Sequence, residues 1–318
     1  MLGAHRFGRA AVDAFHAAGW HVRAFARSWA GCPLKTSIQQ IEGDAFDTDS
    51  LIKAARGSDI IVHALNPAYN NWERDLPTLT ASVIAAAKET GATVMIPGNI
   101  YGYGEDMPPV LTELTPRVPT CSLGHLRAEM EQSFAEAATF GVRTVILRGG
   151  DFIEGAKTGN WFDSHIAGKL DKGEVTYPGP LDRAHTWAYL PDMARAMAEL
   201  AAIATGFNAF EVFGFPGYSM MGSEMVHLLS NATGTQLKIK AMPWAILKVL
   251  QLFVPVLRGV VQMRYLWNVP HTISGKKFRA ALPEFQETPA RQAVAASVAV
   301  LYPALHSKPA FSPARQAS

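Results

Sequence analysis

The chain opens on a turn that lacks the strand such a turn normally follows. Met1-Leu2-Gly3-Ala4-His5-Arg6-Phe7-Gly8-Arg9-Ala10 has the glycines and small residues of a segment leading from a β-strand into a helix, yet no apolar strand precedes it. A turn of this kind sets free backbone N–H groups and the positive end of a helix dipole against an anion. A sheet that misses its central member exposes backbone and apolar edges on both neighbours. The natural protein is therefore expected either to carry further residues upstream or to close its sheet around the gap.

Downstream, strands and helices alternate. Gly8–Ala18 is predicted to be a helix with an inward stripe of Ala10, Ala11, Ala14 and Phe15, ended by Gly19. Strands are predicted at Trp20–Arg27, Ile38–Glu42, Asp59–Ala64, Thr93–Pro97 and Arg143–Arg148, and the near-continuous apolar run at Asp59–Ala64 suits a buried parallel sheet. Helices are expected from Asp49 or Ser50 to Ala55, over Leu79–Thr90, and over Leu126–Phe140. This rhythm predicts an α/β fold with a doubly wound parallel sheet, Rossmann-like and with its first strand absent. From about Gly155 the rhythm breaks, and a smaller C-terminal α+β substrate domain is expected, interleaved with the last sheet strands. Its elements include a helix over Pro191–Ile203 and a strand over Ala209–Phe213. The expected divisions are 1–154 for the nucleotide-binding part, 155–306 for the substrate domain, and 307–318 for a disordered tail.

Composition narrows the function classes. A net charge of +2 without a basic block or basic-aromatic stripe argues against nucleic acid. Two cysteines, Cys32 and Cys121, build no disulfide framework and have no metal-ligand spacing, so a metal site is not expected and a reducing cytoplasm is. No basic stretch followed by an apolar run marks a secretory signal. The apolar segment Trp244–Met263 is interrupted by Lys248, Pro255 and Arg258. It reads as two short helices packed on the smaller domain, the second beginning at Pro255, with a membrane-surface helix as the other reading. A monomer or homodimer acting on a small molecule is expected, with no membrane partner.

Several patterns fall in one order at compatible spacing: Gly3…Gly8-Arg9, Arg27 at a strand end, Gly43-Asp44-Ala45-Phe46-Asp47, and His63-Ala64 at another strand end. Ile100-Tyr101-Gly102, Leu147-Arg148-Gly149-Gly150-Asp151-Phe152 and Tyr189-Leu190-Pro191-Asp192-Met193-Ala194 follow. Together they resemble the extended or atypical short-chain dehydrogenase/reductase superfamily, of NAD-dependent epimerase/dehydratase type, over roughly residues 1–290. The resemblance implies that Gly3, Arg6, Phe7 and Gly8 lie at a pyrophosphate, and that Asp44 and Ala45 lie at an adenine. It implies Ala64 and Leu65 beside the nicotinamide ribose, Gly149 and Gly150 at the nicotinamide, and Asp151, Trp161, His185 and Trp187 facing a substrate. Arg27, which ends the second strand with no carboxylate beside it, and Arg9 on the first helical turn favour the 2′-phosphate of NADP over the free ribose of NAD.

The chain also departs from that superfamily. The usual Tyr-x-x-x-Lys pair is replaced by Leu123 and Arg127, and Pro97 stands at the serine position. Leucine transfers no proton, and arginine holds a hydroxyl or phosphate but is a poor acid. His5 and Leu2 fall where other glycines of the phosphate turn would stand. Replacement acids are sought in Tyr101, flanked with Tyr103 around Gly102, and in His125, with Arg127 as the ribose-holding group. His63 is read as a satisfied hydrogen-bonded residue, and Glu129 and Glu131 as a solvated helix face. Trp161-Phe162 and Trp187–Tyr189 read either as an apolar pocket or as an interdomain core. Met263–His271, rich in large side chains, has no chemical role assigned. Three readings follow. One is an atypical NAD(P)-dependent oxidoreductase of epimerase-like type acting on a small carbonyl or sugar-type substrate. The others are a non-catalytic NADP(H)-binding sensor or regulator, and an N-terminally truncated member with impaired cofactor binding.

Overall fold

The apolar runs assemble into one parallel sheet whose centre is filled by the first three residues of the chain. The structure is a computed structural model and describes residues 1–3, 6–29 and 34–305; His5, Cys32 and the tail from 307 lie outside them. The sheet strands are β1 (Arg23–Ala26), β2 (Gln39–Glu42), β3 (Ile60–Val62), β4 (Thr93–Gly98), β5 (Thr144–Arg148) and β6 (Phe210–Gly214). β2 pairs with β1, and β3, β4, β5 and β6 pair in that order, all parallel. Between β1 and β3 no strand of regular length stands, as the sequence predicts. Leu2 bridges both sides instead, parallel to Phe25 and to His63.

The peptide groups of Met1 and Leu2 and the Gly3 N–H bond to both neighbours. Leu2 N–H donates to the Val62 carbonyl at 2.8 Å and Gly3 N–H to Phe25 at 3.2 Å, while Phe25 donates to Met1 at 2.9 Å and Ala64 to Leu2 at 3.1 Å. Below the stub the Arg23 guanidinium donates to the Arg56 carbonyl at 2.7 Å and to the Ser58 hydroxyl at 2.5 Å, tying β1 to the approach of β3. The gap is thus occupied by backbone above and by an arginine below, which leaves few orphaned groups on either neighbour.

Helices cover both faces. α1 (Phe7–Ala17), α2 (Thr48–Ala55), α3 (Trp72–Thr90), α4 (Ser122–Ala137) and α5 (Leu190–Ala202) are the main ones. α1 and α5 share a core with Phe15, Val62, Met95, Leu147 and Met197 on one face, while α3 and α4 pack Leu76, Val83, Met130 and Phe134 on the other. α2 is capped two or three residues earlier than predicted, by the Asp47 carboxylate accepting from Asp49 and Ser50. α3 starts at Trp72 rather than Leu79, with Pro77 inside its second turn, where the missing N–H removes one i→i−4 bond to the Glu73 carbonyl.

After β5 the chain forms two strands of a second sheet, Asp151–Ile153 and Ala184–Tyr189, returns to the main sheet through β6, and then adds the third strand of the second sheet, Tyr218–Met221. α6 (Gly222–Thr233), α7 (Trp244–Leu250), α8 (Val256–Gln262), α9 (Lys276–Ala281) and α10 (Ala290–Leu301) complete the chain. Trp187, Phe162, Trp267, Leu229 and Val298 form the core under this second sheet. Trp267 and Tyr265, in the segment without an assigned role, are core residues.

The break at Pro255 between α7 and α8 agrees with the sequence reading, but the packing does not. α7 contains no buried residue, and in α8 only Gly259 is buried. Apolarity alone predicted burial here, yet no element covers the outer faces of the pair.

The stub gives a direct test. Leu2 is buried and bridges two strands, so Leu2→Ala should cost about 3 kcal/mol in urea denaturation.

Candidate active site

The C-terminal ends of β1, β3, β4 and β5 open into one cleft of about 1640 Å³. This is where an open α/β sheet binds its ligands, and the volume exceeds the roughly 300–1,000 Å³ of ordinary small-molecule sites. Its floor is built on glycine. A Cβ on Gly3, whose φ of +95° already favours glycine, would come within 2.9 Å of the Ala64 carbonyl oxygen. A Cβ on Gly8 would overlap the Gly3 carbonyl, and one on Gly150 would overlap that of Thr186. At these points the backbone approaches as closely as it can. The first turn of α1, adjoining Gly3, Arg6 and Phe7, carries no acidic residue.

Most of the residues singled out in the sequence meet here. Gly3, Arg6, Phe7, Arg27, Asp44, Ala45, Ala64, Leu65, Tyr101, Arg127, Gly149, Gly150, Asp151 and Trp161 all line the cleft. Gly8 lies directly beneath Gly3, and Arg9 sits half-buried on α1, outside the lining. His125 does not come to the cleft; it is exposed on α4, and the lining residue of that helix is Arg127. His185 and Trp187 are core residues behind the cleft rather than part of its wall. Leu123, at the position of the usual tyrosine, is buried in the core.

Arg127 is held by the carbonyl of Pro97 at the end of β4. Its Nη2 donates to the Pro97 carbonyl at 2.9 Å, its guanidinium lies 5.7 Å from the Trp72 ring centre, and its Nε has no partner. Burial pulls its pKa down from the usual arginine value, against the raising pull of Glu131.

Glu131 corrects a sequence expectation. It is buried, not part of a solvated face, and accepts from Arg117 and Arg148 at 2.6 Å each. Burial alone would push its carboxyl up, but the two guanidiniums outweigh that and hold it below the usual carboxylate range. Arg148 also donates to the Asn99 carbonyl, so the cluster fixes α4 against the ends of β4 and β5. Glu129 is exposed, as expected.

Two proton-bearing pairs face the same space. The Tyr101 hydroxyl lies 2.8 Å from that of Tyr69, which follows β3 on the opposite wall. Burial, then the neighbouring Tyr69 and Asp151, raise the Tyr101 pKa well above the ordinary tyrosine value, so its hydroxyl stays protonated. In the second pair, His185 Nε2 lies 2.8 Å from Asp151 Oδ2. The ring is stacked on Trp267 at 4.0 Å, and its Nδ1 faces the Leu266 carbonyl at 3.3 Å. Oxygen acceptors therefore face both ring nitrogens and fix the plane of the ring.

At the mouth, Arg6 (φ +42°) donates through Nε to the Thr158 hydroxyl at 3.1 Å and through Nη2 to the Thr158 carbonyl at 2.9 Å. The Thr158 segment is anchored in turn by Glu154 and Asp163. Tyr69, Trp72, Arg74 and the 157–160 segment are cleft residues not singled out in the sequence. The available signal was position alone: Asn66-Pro67-Ala68-Tyr69-Asn70-Asn71-Trp72 is a polar-aromatic loop directly after a buried strand.

A parallel sheet with a glycine floor at its strand ends, an acid-free helix start and an orphaned Arg127 Nε fits a nicotinamide dinucleotide. The model of the NAD(P)H-binding family matches residues 3–176, and the chain belongs to that family. Its fold is that of the NAD-dependent epimerase/dehydratase type. MoeE5 in complex with UDP-glucose and NAD is 17% identical, with 94% of this chain and 96% of that one covered at a TM-score of 0.74. The UDP-N-acetylglucosamine 4-epimerase of Bacillus cereus is 15% identical over 98% of both chains, at 0.72. A double mutant of DesIV, the dTDP-glucose 4,6-dehydratase of Streptomyces venezuelae, with NAD and DAU bound, is 17% identical over 94% and 96%, also at 0.72. No curated protein sequence matches the chain. Among the described residues no group of side chains could hold a metal ion, and no helix is long and apolar enough to cross a membrane.

His63 corrects a second expectation. Both of its ring nitrogens are buried without a partner, and burial, aided by the Arg127 charge, lowers its pKa to about 3. Burial, then His185, lowers His271 to about 3 as well. The unfolded chain protonates these residues near pH 6.5 and the folded chain does not. Unfolding therefore takes up protons, and stability should fall as pH drops from about 6.5 towards 3. Thermal melts across that range should show the slope, and His63→Phe, packed on Phe134, should flatten it and raise stability at pH 5. Glu131→Gln, which leaves the buried Arg148 and the half-buried Arg117 guanidiniums without their carboxylate, should cost about 3 kcal/mol in denaturant titration.

Proposed function

We propose that the chain is an NAD(P)-dependent oxidoreductase of epimerase-like type, acting on a small carbonyl or sugar-type substrate. The observation that carries this reading is the meeting, in one cleft, of the glycine floor and the Tyr101–Tyr69 hydroxyl pair. A protein that only sensed the cofactor would need the first and not the second.

A bound nicotinamide supplies or accepts the hydride, and the rest falls to side chains. Gly3 and Gly8 with the start of α1 would hold the pyrophosphate, Asp44 and Ala45 the adenine, and Gly149 and Gly150 the nicotinamide. Arg127, with its unpartnered Nε, would hold a ribose hydroxyl in place of the usual lysine. The Tyr101 Oη, kept protonated by burial, would give its proton to a substrate carbonyl oxygen, with Tyr69 Oη passing one on behind it. Asp151, backed by His185, lies on the same wall and would orient a substrate hydroxyl. Trp161 would form an apolar side of the substrate region. The sugar nucleotides named for MoeE5, the Bacillus cereus epimerase and DesIV make a nucleoside-diphosphate sugar the first substrate class to try.

For the cofactor, NADP is preferred. Arg27 is exposed at the cleft rim where β1 ends, and Arg74 lines the same cleft on the first turns of α3. Two guanidiniums suit a 2′-phosphate, with Arg74 drawn partly aside by Asp75 at 2.6 Å.

Binding and chemistry are tested separately. In fluorescence titrations Arg27→Ala should weaken NADPH about tenfold or more while leaving NADH unchanged. Equal effects on both would remove the 2′-phosphate assignment. With NADPH and a panel of nucleotide sugars, aldehydes and ketones, turnover should appear and should fall about 100-fold or more in Tyr101→Phe, with cofactor affinity retained. Tight binding with no turnover across the panel would return the chain to a sensor.

A further inference from the structure

The α7–α8 hairpin has no role in the proposed chemistry, and its exposure runs against its composition. Phe253 and Leu252 at the tip are 77% and 69% exposed, and Ile246, Val249 and Val256 on the flanking helices are 59%, 58% and 43% exposed. Large apolar side chains gathered on one projection mark a contact surface rather than ordinary scatter. α7 and α8 are seven residues each and joined at Pro255, so the projection is a compact wedge rather than a span.

Charge identifies the occupant. Residues 225–283 contain eight Lys or Arg and not one Asp or Glu, in a chain whose net charge is only +2. Among the described residues, Lys240, Lys277 and Arg279 are taken up by Glu174, Glu211 and Glu287 from outside this stretch. Lys238 lies in the field of the same Glu174, whereas Lys248 and Arg258, on the two helices of the hairpin, are exposed with no carboxylate partner among the described residues. An apolar wedge that carries Lys248 and Arg258 and no acidic residue of its own is complementary to an anionic lipid surface. The apolar tip would enter the boundary between headgroups and acyl chains, and the cations would meet the headgroups. A second copy of the same face would instead bring like charges together.

We infer that the α7–α8 hairpin docks the protein on an anionic membrane surface. The placement is also functional, because α8 belongs to the cleft. Val260 lines the cleft, and a Cβ on Gly259 would come within 2.7 Å of the Tyr69 ring. The wedge and the proposed proton donor's partner are thus joined by one helix.

The test is co-sedimentation of the full chain with vesicles of phosphatidylcholine alone and of phosphatidylcholine with phosphatidylglycerol, at low and high salt. The expected result is binding to the anionic vesicles only, weakened by salt, and reduced at least tenfold in the Leu252→Glu, Phe253→Glu double variant. Lys248→Glu with Arg258→Glu should lower anionic binding without changing the apolar tip. Both variants change exposed side chains, and retained NADPH binding verifies their fold. Absence of vesicle binding by the unaltered chain would overturn the inference. So would binding that the tip variant leaves intact, or equal binding to neutral vesicles. A dimer in analytical ultracentrifugation that Phe253→Glu splits, with no vesicle binding, would assign the face to a second copy and overturn it equally.

Discussion

The sheet is one unit because three residues of backbone hydrogen-bond in two directions. Remove the bonds of Met1, Leu2 and Gly3 to Phe25, Val62 and Ala64, and the sheet separates into a β2–β1 pair and a β3–β4–β5–β6 block. The same three residues end at Gly3, against which Gly8 and Ala64 are packed too closely for any side chain. The join between the two halves of the sheet and the floor of the cofactor region are therefore a single piece of chain. Burial of Leu2 supplies apolar contact at the join, and Arg23 closes the space below it.

A second fixed point stands on the other side of the cleft. Glu131 with Arg117 and Arg148 ties α4 to the sheet by charge rather than by the tyrosine and lysine usual in the superfamily it resembles. Such a cluster is weak evidence for stability, since desolvation offsets much of its attraction. Its geometric effect is clearer: with α4 fixed, Arg127 is presented to the cleft and Leu123 is turned into the core. The departures at those two positions then belong to one rearranged wall.

What was legible in the sequence was whatever apolar periodicity and glycine could report. The near-continuous runs at Ile60–Val62 and Thr144–Arg148 specify buried parallel strands, and the order of the glycines specifies where the cleft lies. Burial of polar groups was not legible, because it depends on partners far away in the chain. Glu131 reads as solvated until Arg148 is placed across from it, and His63 reads as satisfied until Phe134 closes over it. Tyr69 and Trp72 sit in a loop with no period, so nothing local marked them as facing Tyr101. The hairpin failed in the opposite sense: its composition predicts burial, and whether an apolar face is covered is decided only by the elements that surround it.

Gly259 carries a consequence of its own. It is the point at which α8 touches Tyr69, with no side chain of its own to cushion the contact. A displacement of the hairpin is then transmitted to the Tyr69 ring instead of being absorbed by a flexible side chain. Linkage of this kind runs both ways with the same free energy. Whatever the wedge gains from its surroundings when Tyr69 is held in one position, a ligand in the cleft gains when the wedge is held in place. At this glycine the exposed hairpin and the wall of the cleft are in direct contact.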